Sequence, residues 1–166
     1  MRYLYYPGCS IEGTASEYDL STRRVMQAAD VELIEIEDWT CCGASAAEAT
    51  SELLSLALPA RNLAIAEKMD DVSDILVPCS ACYLNLKKVE LQIRSDRDLL
   101  ITLNEILAEE GLALAGRTRV RHLLDVLACR QPPPLRETVD VGVDRERRLA
   151  ECLAHHHRGG LVPHSR

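Results

Sequence analysis

The sequence predicts an α/β fold, a small parallel sheet with flanking helices, because strand-like and helix-like segments alternate in a chain long enough for one domain. Short apolar runs of the strand type alternate along the chain with longer segments of helical periodicity. The chain has 166 residues, 47% of them hydrophobic, which is enough to bury a core of its own. Strands that alternate with helices are joined by crossover connections, so neighbouring strands run parallel and the helices pack on the sheet.

Three strands are predicted from short apolar runs that each stop at a residue disfavoured in strands. Residues 2–6 are aromatic and apolar and stop at Pro7. Residues 31–36 are rich in β-branched side chains and end before Asp38, and residues 74–78 form a third apolar run that ends in a proline. Proline and aspartate terminate strands because the first lacks an N–H and the second favours turns.

Helices are expected between and after these strands, where apolar residues recur at helical spacing. The predicted ranges are residues 14–29, 44–69, 80–93, 98–110 and 120–127. In the second helix Pro59 is expected to mark a break or a new first turn. The apolar stripe of the first helix that should face inward comprises Tyr18, Val25, Met26 and Ala29.

Composition and charge exclude several classes of protein. No apolar run approaches the roughly 20 residues of a membrane-spanning helix, and the first residues lack the features of a secretory signal. Residues 1–110 carry 20 acidic against 9 basic residues, and residues 111–166 carry 6 against 10. The acidic body would repel nucleic-acid phosphates. We expect a cytoplasmic domain that binds no nucleic acid, with a basic end that is either a solvated tail or a docking surface.

Five of the seven cysteines directly follow the predicted strands. Cys9 follows the first strand, Cys41 and Cys42 the second, and Cys79 and Cys82 the third. Parallel strands end at one edge of a sheet, and ligands of open α/β sheets bind there, so these distant segments should converge. In a reducing compartment such cysteines are more often metal ligands or redox groups than structural disulfides. The sequence therefore predicts one site, with its cysteine ligands gathered at the carboxyl ends of the strands.

The chemistry of five neighbouring thiolates favours a centre with several metal ions. Two thiolates 4 Å apart repel by about 4 kcal/mol at an effective dielectric constant near 20, so they must stay protonated or be held by a cation. One tetrahedral zinc suits adjacent cysteines such as Cys41 and Cys42 poorly, because their side chains diverge. An iron–sulfur cluster offers several irons and prefers thiolate ligands. The helix that begins after Cys79 would stabilise bound thiolates with its positive end.

Other interpretations of the cysteines stay open at this point. Cys79 and Cys82, between a strand and a helix, also match a thioredoxin-type dithiol that binds no metal. Cys41 and Cys42 could form a vicinal disulfide. The cysteines outside the pattern are expected to be buried or idle thiols: Cys129 and Cys152.

Three motifs resemble the cysteine-rich CCG domain family. They are Tyr-Tyr-Pro-Gly-Cys9-Ser, Cys41-Cys42-Gly43 and Pro-Cys79-Ser-Ala-Cys82-Tyr, with the combined spacing C-x31-C-C-x36-C-x-x-C. The likeness is greatest to the N-terminal half of the CCG-containing subunit of heterodisulfide reductase and extends over residues 3–127. It is supported by four intervening segments: residues 60–64, 82–87, 103–107 and 120–127.

The resemblance implies a cofactor and its ligands. In that family the five cysteines of one domain hold a noncubane 4Fe-4S cluster that takes part in the cleavage or formation of disulfide bonds. Carried over by position, the cofactor-binding and metal-ligating residues are Cys9, Cys41, Cys42, Cys79 and Cys82. Gly43 would allow close backbone approach beside the two adjacent ligands.

The resemblance also implies a function and partners. We expect an oxidoreductase subunit of a heterodisulfide reductase-like complex, acting on disulfides, thiols or other sulfur compounds. The alternatives are a non-catalytic electron-transfer or assembly subunit, as in succinate dehydrogenases with CCG-type subunits, and a metal-free dithiol oxidoreductase. The chain lacks the ferredoxin cysteine run. Electrons should therefore come from a ferredoxin-like iron–sulfur subunit and a flavin-containing subunit, and a second CCG domain could complete the site.

Residues 1–130 are predicted to form the CCG domain and residues 131–166 a linker and tail. Three consecutive prolines from position 132 predict the linker. The segment around Pro163 partly echoes the segment around Pro7, as a truncated second repeat would. Alternatively, this segment is encoded by an expression vector, as the three consecutive histidines that begin at His155 suggest.

Overall fold

The computed structural model describes residues 1–44, 46–69 and 74–129. The chain divides into two units, Met1–Leu124 and Asp125–Arg166, and the sheet lies in the first. The predictions made for residues 131–166, among them the linker, both interpretations of the tail and Cys152, lie outside the described residues. The domain boundary at residue 130 stays a prediction.

Strands and helices alternate through the described part of the chain. The strands are β1 (Arg2–Tyr5), β2 (Glu32–Glu35), β3 (Asp74–Val77) and β4 (Arg119–His122). The α-helices are α1 (Cys9–Gly13), α2 (Ser16–Ala28), α3 (Ala46–Thr50), α4 (Glu52–Met69), α5 (Ser80–Ser95), α6 (Arg97–Leu107) and α7 (Leu123–Cys129), with a short 3-10 helix at Ala108–Glu110. None of the helices in these described ranges is both long enough and apolar enough to cross a membrane.

The strands form one parallel sheet in the order β2-β1-β3-β4. Leu4 of β1 pairs with Ile34 of β2 on one side and with Ile75 of β3 on the other. The chain therefore leaves β1 in one direction to reach β2 and returns to the other side to form β3. In open α/β sheets a crevice opens at such a reversal, outside the carboxyl ends of the strands. The predicted fold class, with its parallel sheet and flanking helices, is confirmed.

Side chains of β1 alternate between two buried layers, as strand geometry requires. Leu4 and Tyr6 belong to the main core, with apolar residues of α4, α5 and α6. Tyr5 points to the opposite face, where its hydroxyl donates to Asp19 of α2 at 2.6 Å and the Arg23 guanidinium lies 4.6 Å from its ring centre. Helices on both faces thus bury the central strand, which leaves its carboxyl end as the accessible edge.

The prediction of a helix over residues 120–127 is wrong in its first part. Arg119–His122 form β4, with Val120 paired to Ile75 of β3, and α7 begins only at Leu123. Apolar residues in this segment recur at a spacing that imitates a helix, and four residues are too few to show the alternation of a strand. Pairing with a buried central strand decides the outcome.

The helix expected to break at Pro59 runs through that residue. Glu52–Met69 form one helix, α4, and the interruption falls at Ser51, between α3 and α4. Pro59 is buried within α4. Packing of this apolar helix in the core therefore outweighs the lost backbone hydrogen bond, which proline cannot donate.

The buried face of α2 also differs from the prediction. Thr22 and Met26 are its buried residues, whereas Tyr18 and Val25 are 43% and 47% exposed. The buried face of α2 is therefore the one that carries Thr22 and Met26, which are four residues apart, and it differs from the predicted stripe. A further difference is α1, Cys9–Gly13, which the sequence did not predict because it is short and no side chain caps its first turn.

Candidate metal centre

The carboxyl edge of the sheet carries all five motif cysteines. Cys9 is the first residue of α1, four residues after β1 ends. Cys41 and Cys42 lie in the loop that follows β2. Cys79 is the N-cap of α5, after β3, and Cys82 lies in the first turn of that helix. Three segments far apart in sequence thus reach the edge at which the strand order reverses.

The cysteines form sulfur contacts between these segments. Cys9 Sγ and Cys41 Sγ are 3.4 Å apart and exposed, and Cys42 Sγ and Cys82 Sγ are 3.3 Å apart and buried. Cys79 also contacts Cys82, because a hydrogen bond between their thiols is one of the causes that perturb the pKa of Cys82. One pair therefore faces solvent and the other faces the core.

The pairs do not make a site for a single ion. Among the described residues, no three cysteine, histidine or acidic side chains are arranged to hold one metal ion. Cys129, which the sequence set apart from the motif, lies at the end of α7, outside the unit that contains the sheet. The donor set at the sheet edge is five soft sulfur atoms, which is the ligand type that iron–sulfur clusters take.

Two glycines let the backbone pass close to other atoms at this edge. Gly8 has φ 84°, and a Cβ there would lie 2.8 Å from Cys82 Sγ. Gly43 has φ 73°, and its Cβ would lie 2.7 Å from Ala47 Cβ and 2.8 Å from Leu58 Cδ1. Both φ values strain any residue with a side chain, and both Cβ positions are closer than van der Waals contact. The cysteine loops therefore need glycine at both positions, and Gly43 has the close approach expected of it.

The loop before Cys41 is fastened by a buried asparagine. Asn62 of α4 is fully buried; its Oδ1 accepts from the Thr40 N–H at 2.8 Å, and its Nδ2 donates to the carbonyls of Thr40 at 3.0 Å and Leu58 at 3.1 Å. The Tyr6 hydroxyl donates to the same Thr40 carbonyl at 2.7 Å. These bonds fix the backbone at the residue that precedes the two adjacent cysteines.

A second asparagine contacts the buried cysteine pair. Asn85 lies one turn after Cys82 in α5, and its Nδ2 donates to the Cys42 carbonyl at 3.2 Å and lies 3.9 Å from Cys42 Sγ. Neither Asn62 nor Asn85 was singled out from the sequence, because an asparagine within a helical segment carries no signal of its own. Asn62 lies in segment 60–64 and Asn85 in segment 82–87, two of the segments that support the family resemblance. That resemblance is the sequence signal that could have identified both residues.

The buried pair shares one proton. The hydrogen bond with Cys82 lowers the pKa of Cys42 to about 6, helped by the Ala44 N–H and Asn85 and opposed by burial. The same hydrogen bond, burial and the negative charge of the neighbouring thiols raise the pKa of Cys82. At neutral pH the pair therefore carries one proton and one negative charge, and two coupled groups of this kind titrate as a unit.

Tyr6 stays a hydrogen-bond donor beside this charge. Burial, followed by the thiolate charges of the cysteines around it, raises the pKa of Tyr6. Its ring packs edge-on against Trp39, with ring centres 5.3 Å apart. The hydroxyl that holds the Thr40 carbonyl thus keeps its proton at any physiological pH.

Comparison with known proteins identifies the family. The sequence model of the cysteine-rich CCG domain matches residues 3–87, and the chain belongs to that family. The chain is 36% identical over 126 residues to the 8-methylmenaquinol:fumarate reductase membrane anchor subunit of Wolinella succinogenes, covering 76% of this chain and 43% of that protein.

A second relative comes from a heterodisulfide reductase. The chain is 26% identical over 123 residues to a subunit of the Ferredoxin/F(420)H(2)-dependent CoB-CoM heterodisulfide reductase of Methanosarcina acetivorans, covering 74% of this chain and 40% of that protein. The chain thus spans about two fifths of the length of these relatives. The predicted resemblance to the CCG family and to the heterodisulfide reductase subunit is confirmed.

A solved structure shares the fold. The crystal structure of a hypothetical protein from Helicobacter pylori superimposes with a TM-score of 0.71 over 91% of this chain and 31% of that chain, at 14% sequence identity. At that identity the likeness concerns the fold alone. A sheet of this topology therefore recurs as part of a longer chain.

Proposed function

We propose that this chain is an iron–sulfur subunit of a heterodisulfide reductase-like complex and acts in disulfide, thiol or other sulfur redox chemistry. The observation that carries the proposal is the meeting of five cysteines from three loops at the edge where the strand order reverses. Membership of the CCG family and the relatives that are heterodisulfide reductase subunits support it.

The cofactor we propose is a noncubane 4Fe-4S cluster, held by the cysteines of the sheet edge: Cys9, Cys41, Cys42, Cys79 and Cys82. The residues fit such a group. All five donors are soft thiols, and four of them lie in two contacting pairs, with sulfur–sulfur distances of 3.4 and 3.3 Å, at the carboxyl edge of the sheet. When bound, the cluster would supply one-electron transfer and iron atoms with affinity for sulfur.

The protein groups would hold and orient the cluster. Asn62 and Tyr6 fix the backbone before Cys41, and Asn85 donates towards Cys42. Hydrogen bonds to ligating sulfurs tune reduction potentials in iron–sulfur proteins, so Asn85 is the residue placed to do this here. The start of α5 contributes its N-terminal dipole at Cys79 and Cys82.

Two other functions are supported by specific observations. A non-catalytic electron-transfer or assembly subunit is supported by the 36% identity to a subunit named as a membrane anchor of a fumarate reductase. A metal-free dithiol oxidoreductase, for which the sequence favours Cys79 and Cys82, is supported by the contact between those two thiols. The Cys9–Cys41 and Cys42–Cys82 contacts are further pairs close enough for disulfide formation after a small movement.

Partners and location remain proposals. We propose that a ferredoxin-like iron–sulfur subunit and a flavin-containing subunit deliver electrons, with a second CCG domain as a further partner. Relatives that are subunits of reductases support an assembly of this kind. The cytoplasmic location expected from the sequence stays a prediction.

Anaerobic reconstitution with iron and sulfide tests the proposal. Wild-type chain should bind iron with an absorption band in the visible range, and Cys41→Ser should bind much less, because a ligand of the exposed pair is lost. Cys129→Ser is the matched control and should bind as much iron as the wild type. A wild-type chain that binds no iron, yet cycles between dithiol and disulfide, would establish the metal-free alternative instead.

A further inference from the structure

An open groove of about 530 Å³ lies beside the exposed cysteine pair. Small-molecule sites typically occupy roughly 300–1,000 Å³. The groove is lined by the end of β2 and the loop after it, from Glu35 to Cys41, together with Cys9. Cys9 and Cys41 are exposed, whereas Cys42 and Cys82 are buried. A molecule that enters this groove therefore reaches the cysteine cluster on the side of the exposed pair.

The groove carries a surplus of negative charge. Three of its lining residues are acidic, Glu35, Glu37 and Asp38, and none of the described residues that line it is basic. Glu35 pairs with Arg23, and Asp38 pairs with Arg61 at 2.7 Å. Glu37 is exposed and has no ion-pair partner among the described residues. One carboxylate of the lining is therefore left without a compensating charge.

The two arginines nearby do not reverse this sign. Arg23 is also bound by Asp19 at 2.8 Å, and Arg61 is also bound by Glu110 at 2.7 Å. Each guanidinium is thus shared between two carboxylates. Neither is available to bind a sulfonate, carboxylate or phosphate in the groove, so an anionic ligand would meet uncompensated negative charge.

An aromatic side chain forms another part of the lining. Trp39 is half-buried, its ring packs edge-on against Tyr6, and its Nε1–H lies 3.4 Å from Glu35 Oε1. The face of an indole ring attracts cations through its negative potential, and the ring also contacts apolar groups by burying apolar surface. The aromatic and acidic components of the groove therefore favour the same kinds of ligand.

We propose that this groove is the entry site for the thiol or disulfide that meets the cysteine cluster, and that it selects substrates with a cationic or neutral end over anionic ones. The inference rests on the proposed function, because it assigns a substrate class to the same site. A cationic ligand is attracted by the Glu37 carboxylate, whereas an anionic ligand is repelled by it. We therefore expect the Kd values of cationic and anionic ligands to differ by about tenfold or more at low salt.

Two small thiols of equal length and opposite charge test the proposal. The full chain, reconstituted anaerobically with iron, is titrated by calorimetry with 2-mercaptoethylamine and with 2-mercaptoethanesulfonate. The fluorescence of Trp39, the single tryptophan of the chain, is followed in parallel on the iron-free chain. The amine should bind about tenfold more tightly in both forms, and salt should reduce the difference through screening.

Charge variants separate the groove from the overall charge of the protein. Glu37→Lys should reverse the preference and Glu37→Gln should reduce it. Glu105→Lys, at an exposed position of α6 outside the groove lining, changes the net charge equally and should leave the preference intact. Equal or tighter binding of the sulfonate by the wild type, binding of neither thiol, or the same response in Glu37→Lys and Glu105→Lys would overturn the proposal. Iron content, measured on the same samples, reports separately on the proposed function.

Discussion

Replacement of Asn62 by alanine should loosen the cysteine loop and weaken iron binding together. The change removes three short hydrogen bonds, one from the Thr40 N–H and two to the carbonyls of Thr40 and Leu58, and a longer one of 3.5 Å from the Thr40 hydroxyl. At about 1 kcal/mol for each short bond, the free energy of unfolding should fall by about 3 kcal/mol. The Thr40 carbonyl still accepts a hydrogen bond from the Tyr6 hydroxyl. Most of the loss in stability therefore comes from the Thr40 N–H, which loses its acceptor.

The iron-binding effect follows from the position of this loop. Thr40 directly precedes Cys41, so a loose Thr40 lets both adjacent cysteines move. Groups that orient metal ligands without contacting the metal typically contribute about 10–100-fold to metal affinity. We expect Asn62→Ala to weaken iron affinity by a factor of that order. Stability is measured by urea unfolding of the reduced chain, and affinity by competition with an iron chelator.

Asn104→Ala is the matched control. Asn104 of α6 makes the same kind of bridge, with its Nδ2 donating to the Leu114 carbonyl at 3.0 Å and its Oδ1 accepting from the Leu114 N–H at 2.7 Å. Asn104 holds the loop before β4, so its loss should lower the free energy of unfolding by about 2 kcal/mol. The affinity of the folded chain for iron should stay unchanged. Equal iron affinity in the two variants, or an unchanged free energy of unfolding in Asn62→Ala, would refute the reasoning.

Two further predictions concern the buried cysteine pair. Gly8→Ala should displace the Cys82 thiol, because the new Cβ would lie 2.8 Å from its sulfur, and so reduce bound iron; Gly13→Ala, where nothing lies within 4 Å, should bind iron normally. In the iron-free reduced chain, thiolate ultraviolet absorbance should rise with pH, with an apparent pKa of about 6 for the Cys42–Cys82 pair. Removing the hydrogen-bond partner in Cys82→Ala should move that pKa upwards, and an unmoved titration would count against the shared proton.

The part of the fold that could be predicted is the part that the sequence encodes locally. Three strands ended at proline or before an acidic residue, and their positions placed five cysteines at one edge. The fourth strand could not be predicted in this way, because Val120 and its neighbours form a strand only through pairing with β3. The prediction of a break at Pro59 is wrong for the same reason, because burial of α4 in the core outweighs the local preference of proline against a helix interior.

The candidate site was predictable in its ligands and not in its support. Cysteine is rare enough that its spacing carries information, so the segments that converge could be named from the sequence. The roles of Asn62 and Asn85 depend on which backbone groups the fold brings opposite them, and sequence spacing does not contain that information. The groove beside Cys9 arises likewise from three-dimensional proximity to the loop after β2.

The most direct measurement is diffraction at the iron absorption edge from crystals of the anaerobically reconstituted chain. We expect anomalous density for several iron atoms at the carboxyl edge of the sheet, with sulfur–metal distances of about 2.3 Å to all five motif cysteines. One isolated ion, iron bound elsewhere, or a disulfide between Cys9 and Cys41 with no iron at the sheet edge would contradict the proposed centre.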